Sequence, residues 1–152
     1  FTPLTVEEQS EILSNFPEIE RLSEEHFETV LILSQGSLEK ARALVQSGAL
    51  DTIVKIEETE NWTEQYFISL FDEIKKEETA PIFYHALISY MQYIANEFAI
   101  QDGLKTWHDL IKISRQRKML ENYAESSSQY QTQLLEIAIR SWFIKMKDRR
   151  YD

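Results

Sequence analysis

Apolar residues recur every three or four positions along most of this sequence, which is the spacing of one face of an α-helix. Residues 62–74 show it most clearly, and residues 82–98 and 134–146 repeat it. The apolar face of the first of these segments consists of Trp62, Tyr66, Phe67, Leu70, Phe71 and Ile74. No segment alternates apolar and polar residues at every second position, as a half-buried strand does. The pattern predicts an all-α fold of seven or eight helices.

A helix junction in the first half has clear start and stop signals. Gly36 is predicted to end one helix in the left-handed conformation, because a residue without Cβ enters it at little cost. Ser37 can then cap the next helix with its hydroxyl, and Gly48 is predicted to end that helix. The apolar face between the two glycines consists of Leu38, Ala41, Leu44 and Val45.

Charge is distributed unevenly along the chain, although the whole sequence has a net charge of −10. Residues 1–80 contain 18 acidic and 6 basic residues, whereas residues 81–152 contain 8 and 10. The two halves therefore differ in electrostatics, which favours two modules. The acidic, poorly apolar segment 57–61 is where we predict the boundary between them. The chain begins at Phe1 rather than Met, which we interpret as a fragment or a processed piece.

The sequence offers little chemistry for catalysis or for cofactor binding. It has no cysteine, no glycine-rich phosphate loop and no calcium-loop spacing. None of its histidines, His26, His85 and His108, has the partners that a helical metal site requires. No apolar run approaches the roughly 20 residues that cross a bilayer. We therefore expect no enzymatic activity in this chain, no cofactor, no metal, no small-molecule substrate and no membrane partner.

Aromatic residues of the second half admit two interpretations. They could form a ligand cage or a base-stacking platform, but they occur at core spacing on an acidic helix, so we interpret them as core. The residues concerned are Trp62, Tyr66, Phe67 and Phe71.

Basic and aromatic residues near the C-terminus are candidates for an interface. The basic cluster of Arg115, Arg117 and Lys118 could meet phosphate, or could simply suit the C-terminal half of a helix. The adjacent Trp142 and Phe143 make an apolar stripe wider than an isolated bundle needs. The candidate interface residues are Arg115, Arg117, Trp142 and Phe143.

Three blocks of the first half stand out, namely Phe1–Glu8, Leu22–Glu25 and Leu33–Ala41, followed by the closing glycine Gly48. Together they resemble the lid of AAA+ clamp-loader subunits, and they are most similar to those of the bacterial DNA polymerase III delta-prime type. In the second half, Trp107 with Leu110, a basic helix, a polar loop and Gln133–Glu136 are similar in outline to the collar domain of that subunit. The block around Gly36–Ala41 is the most diagnostic.

The resemblance implies a small helical AAA+ lid in residues 1–57, followed by a helical-bundle collar domain in residues 58–152. In ATP-hydrolysing relatives, the fourth position of the Gly-Ser-x-Arg block is an arginine that contacts nucleotide phosphate. Here that position is Glu39, which would repel a triphosphate. The next residue, Lys40, lies about 100° away around a helix. The resemblance therefore implies a delta-prime-like subunit without ATPase function.

The function implied is that of a non-catalytic structural subunit, which holds the clamp-loader pentamer together while the sliding clamp is loaded onto primed DNA. Its partners would be the motor and delta subunits, with DNA contacted only through the complex, in the cytoplasm of a bacterium at the replisome. The alternatives are a helical protein-interaction adaptor unrelated to replication, or the lid and collar of an ATP-hydrolysing clamp-loader subunit.

Overall fold

The computed structural model describes residues 5–13, 15–17, 22–35, 37–102 and 104–151, and this part of the chain is helical without any strand. The predicted all-α fold is confirmed. The helices are α1 (Val6–Leu13), α2 (Glu24–Ser34), α3 (Leu38–Ser47), α4 (Ala49–Ile56), a short 3-10 helix (Thr59–Asn61), α5 (Glu64–Ile74), α6 (Ala80–Asp102), α7 (Leu104–Ala124) and α8 (Gln129–Tyr151). No helix in the described ranges combines the length and the hydrophobicity that crossing a bilayer requires.

Side-chain caps fix where several helices begin. Ser37 Oγ accepts a hydrogen bond from the backbone N–H of Lys40 at 3.2 Å, which confirms the predicted cap of α3. Thr63 Oγ1 does the same for α5, accepting from the N–H of Tyr66 at 3.2 Å. Each cap satisfies one N–H group that has no partner within the helix. Because Thr63 starts α5, Trp62 lies just outside the helix whose apolar face it was predicted to join.

The left-handed residue at the end of α2 is Gln35, with φ of 51°. The predicted left-handed residue, Gly36, lies outside the described residues. Gly48 has φ of 86° and ends α3, as predicted, and it also directly precedes α4. The junction between α2 and α3 thus places a residue with a Cβ in a conformation that favours glycine.

One hydrophobic core joins helices from both halves of the chain. Its fully buried members in the second half include Phe67, Leu87, Leu135 and Phe143. The same cluster includes residues of α2, α3 and α4, namely Leu33, Leu44, Ala49, Ile53 and Ile56. A smaller cluster of Val30, Ala41 and Leu50 lies among α2, α3 and α4. Packing therefore continues across residues 57 and 58, and the division into two domains there stays a prediction.

The aromatic residues of the α5 region belong to this core. Trp62 is 3% exposed, Phe67 and Phe71 are buried, and Tyr66 is half-buried. The indole N–H of Trp62 donates to the backbone oxygen of Ile56 at 2.7 Å, at the end of α4. This burial confirms their interpretation as core residues.

A carboxylate is partly buried where α2 meets the end of α4. The hydroxyl of Thr29 donates to Glu57 Oε1 at 3.1 Å. Burial raises the pKa of Glu57 above its ordinary value, although this hydrogen bond acts in the opposite direction. The ionised form of Glu57 is therefore disfavoured by folding.

Replacing Gln35 with glycine should increase the free energy of unfolding by roughly 0.5–1 kcal/mol, since glycine adopts the left-handed conformation without steric strain. Urea unfolding followed by circular dichroism measures the change. The matched control is Lys118→Gly at an exposed position within α7, which should lower stability by roughly 0.5–1 kcal/mol. A destabilising effect of Gln35→Gly would contradict the strain at this junction.

The Glu57→Gln variant should be more stable than the wild type at pH 7, because the neutral amide keeps an acceptor for Thr29 and avoids a partly buried charge. A raised pKa means that protonation of Glu57 stabilises the folded state at low pH and that this stabilisation is lost as pH rises. The advantage of the variant should therefore shrink between pH 7 and about pH 4.

Urea unfolding at a series of pH values measures the trend. The exposed Glu58→Gln variant controls for the general gain from removing one negative charge. An advantage of Glu57→Gln that stays constant with pH, relative to this control, would contradict the assignment.

Candidate functional site

The position that resembles the nucleotide-sensing site lies on a groove between α3, α6 and α7, here called the Glu39 groove. Glu39 lies in the first turn of α3, two residues after the Ser37 cap, and its side chain is exposed. The groove has a volume of about 500 Å³, and its lining includes Glu39, Lys40, His85, Arg117, Glu121 and Glu125. Lys40 lines the same groove as Glu39. The rotation of about 100° between adjacent residues of a helix therefore does not exclude the lysine from this groove.

Two of the basic groups in the Glu39 groove already have acidic partners. Arg117 Nε donates to Glu121 Oε1 at 2.7 Å, and Arg117 Nη2 donates to Ser89 Oγ at 3.3 Å. His85 Nε2 lies 2.5 Å from Glu125 Oε1. The contacts of Arg117 with Ser89 and of His85 with Glu125 link α6 to α7 and to the residue that follows it. The Glu121 carboxylate offsets the positive charge of Arg117 within α7.

The charge of the Glu39 groove is unfavourable for a triphosphate. Its lining contains three carboxylates, Glu39, Glu121 and Glu125, against the cations Lys40 and Arg117. A phosphate-binding site normally offers backbone N–H groups and excess positive charge. The N–H of Lys40, in the first turn of α3, is hydrogen-bonded to Ser37 instead.

A second groove lies between α7 and α8, here called the Trp142 groove. It has a volume of about 350 Å³, and Trp142 forms part of its wall with Ser141 and Lys145 on α8. Lys112 and Gln116 of α7 face them across the groove. The floor is apolar and contains Ile113 and Met146.

Phe143 points away from the surface, into the core. It is 0% exposed, and its ring stacks on that of Phe67 with centroids 5.0 Å apart. It also meets the edge of Trp62 at 5.1 Å and the ring of Tyr90 at 6.2 Å. Phe143 therefore belongs to the core of this chain and has no surface to offer a partner.

The structure does not bring the four candidate interface residues together. Arg117 lines the Glu39 groove, Trp142 lines the Trp142 groove, and Arg115 is exposed on α7 and lines neither. The residues that share a groove with Trp142, namely Lys112, Gln116 and Lys145, were not singled out from the sequence. The spacing of Trp142 and Lys145 places them on one side of α8, but their alignment with α7 depends on how the two helices pack.

A polar cluster around Glu136 links α8 to α6 and to the end of α5. Tyr84 Oη donates to Glu136 Oε1 at 3.0 Å, and Lys75 Nζ lies 3.2 Å from Glu136 Oε2. Burial raises the pKa of the Tyr84 phenol well above its ordinary value, and the nearby Glu136 adds to the effect. Tyr84 therefore stays protonated and acts as a hydrogen-bond donor rather than as a general base.

The histidines differ in their surroundings. His26 is half-buried, His85 pairs with Glu125, and the side chain of His108 lies outside the described residues. Within the described part of the chain, no group of three or more histidine, cysteine or acidic residues is placed to hold a metal ion.

Comparison of the chain with protein-family models, with curated proteins and with solved structures gives no match.

Replacing Phe143 with alanine should lower the free energy of unfolding by about 3–5 kcal/mol, the usual cost of removing a buried aromatic ring. Chemical denaturation measures this loss. The matched comparison is Arg115→Ala on the exposed side of α7, which should change stability by no more than about 0.5 kcal/mol. A small effect of Phe143→Ala would contradict the core position of this ring.

Proposed function

We propose that this chain is the lid and collar of a non-catalytic subunit of a bacterial sliding-clamp loader, of the delta-prime type. The observation that carries the proposal is Glu39, which lies in the first turn of α3, two residues after the Ser37 cap. In the block that this corner resembles, ATP-hydrolysing relatives have an arginine at that position. A carboxylate at that position would repel a nucleotide phosphate rather than bind it.

The surroundings of Glu39 support the same conclusion. Among the described residues of the groove, the cations are Lys40 and Arg117, and Arg117 is engaged by Glu121 and Ser89. Glu121 and Glu125 add further negative charge to the groove. A lid with this electrostatic character suits a subunit that supports its neighbours without hydrolysing ATP.

An assembly role requires a surface for protein contacts, and α8 offers one. Tyr130 and Ile137 are 69% and 49% exposed, and their spacing of seven residues places them on one face of the helix. Large apolar side chains on one exposed face favour protein–protein contacts. We assign this face to contacts with the motor and delta subunits in the collar, with DNA reached only through the complex.

Two other functions are compared with this proposal by the same two features, the exposed face of α8 and the residue at position 39. The exposed face of α8 would equally serve a helical adaptor unrelated to replication, and only the choice of partner distinguishes the two functions. The lid of an ATP-hydrolysing subunit would need a cation at position 39. The glutamate at that position therefore disfavours the second alternative, the lid and collar of such a subunit.

The chain should form a complex with bacterial clamp-loader motor and delta subunits, detected by size-exclusion chromatography with light scattering. The double variant Tyr130→Asp/Ile137→Asp should lose this association, because it places charge on the proposed contact face. The control Ile68→Asp introduces a charge at another exposed apolar position, on α5, and should still assemble. Circular dichroism establishes that each variant is folded.

Three results would count against this function. Assembly that is unaffected by the double variant would remove the α8 face from the interface, and no assembly by the wild type would favour the adaptor. Calorimetry with Mg-ATP should show no binding to the chain, with an ATP-hydrolysing motor subunit as the positive control. Measurable ATP affinity would overturn the interpretation of Glu39.

A further inference from the structure

The Trp142 groove combines an apolar floor with a positively charged rim. Ile113 and Met146, at the floor, are 2% and 1% exposed. Lys112 and Lys145 belong to its lining on opposite helices, and both side chains are exposed. We propose that this groove is a docking site for an acidic peptide segment of a partner protein, which inserts one apolar side chain between α7 and α8.

The size and lining of the groove suit a peptide side chain. Its volume of about 350 Å³ lies at the lower end of the roughly 300–1,000 Å³ typical of ligand pockets. Trp142 and Ala138 are half-buried and extend the apolar surface upwards from the floor. An aromatic or long aliphatic side chain entering there removes apolar surface from water on both sides.

Charge complementarity indicates an acidic segment. Among the described residues, the lining of the Trp142 groove includes Lys112 and Lys145 and no carboxylate, in a chain whose net charge is −10. The apolar stems of the lysines can cover the inserted side chain while their ammonium groups meet carboxylates beside it. Gln116 and Ser141 add side chains that can hydrogen-bond to a peptide backbone.

The same features favour a peptide over a nucleic acid. The strongly negative chain repels a long polyanion, whereas a short segment with a few carboxylates meets mainly the local charge of the two lysines. The indole of Trp142 is half-buried and packs at 88° to the ring of Phe143, with centroids 5.1 Å apart. Base stacking needs successive open aromatic faces. This inference is independent of the clamp-loader assignment.

A fluorescein-labelled peptide of sequence Glu-Asp-Leu-Phe-Asp-Glu is a suitable probe, with binding measured by fluorescence polarisation. The wild type should bind it, and the double variant Lys112→Glu/Lys145→Glu should bind at least about tenfold more weakly. The double variant Lys112→Gln/Lys145→Gln, which only neutralises the rim, should give an intermediate loss. The matched control Lys55→Glu/Lys76→Glu reverses two exposed lysines outside the groove and should retain the affinity.

Amide and indole chemical shifts should locate the probe. In ¹⁵N-labelled protein, the peptide should shift the indole N–H signal of Trp142 and the backbone signals of Gln116 and Ser141. A peptide in which Ser-Ser replaces Leu-Phe should bind much more weakly, because it lacks the apolar group that enters the groove.

Several outcomes would overturn the proposal. They are absence of binding by the acidic peptide, equal binding by the Ser-Ser peptide, unchanged affinity of the Lys112→Glu/Lys145→Glu variant, and shifts confined to residues outside the groove. Tighter binding of a fluorescein-labelled oligothymidylate, in competition with the peptide, would identify a nucleic-acid site instead.

Discussion

The packing of one ring, Phe143, holds the second half of this structure together and links it to the first. The ring stacks on Phe67 of α5 and contacts Trp62 and Tyr90, so it joins α8 to α5, to the 3-10 segment and to α6. Trp62 in turn donates its indole N–H to the last turn of α4, at Ile56. Because aromatic pairs prefer defined stacked or edge-on geometries, this cluster fixes the rotation of α8 as well as its position.

That rotation decides what the surface of α8 presents. With Phe143 directed into the core, the preceding residue lies about 100° away around the helix, so Trp142 lies at the border between core and solvent. Ser141 and Lys145, which are four residues apart, lie on the same side of α8 and line the Trp142 groove with residues of α7. The groove is therefore a consequence of how the core packs.

The helices and their caps were predictable because their signals are local. The spacing of apolar residues, the hydroxyl of Ser37 and the freedom of Gly48 act within one or two turns of the chain. The roles of Trp142 and Phe143 were not predictable, because two adjacent aromatic residues look alike in sequence. Which of them is buried depends on Phe67 and Tyr90, more than fifty residues away. The site was less predictable than the fold for the same reason: the grooves form between helices whose relative alignment no local pattern encodes.

The basic segment of α7 shows why a cluster in sequence need not be a cluster in space. Successive residues of a helix turn by 100°, so Arg115, Gln116 and Arg117 leave α7 in three directions. Arg115 is exposed, Gln116 borders the Trp142 groove and Arg117 is held by Glu121 in the Glu39 groove. The charge that suggested one phosphate-binding patch is thus divided by the helix itself. Among the described residues, the Glu39 groove has more carboxylates than cations and the Trp142 groove has two lysines, so the two surfaces differ in the sign of their charge.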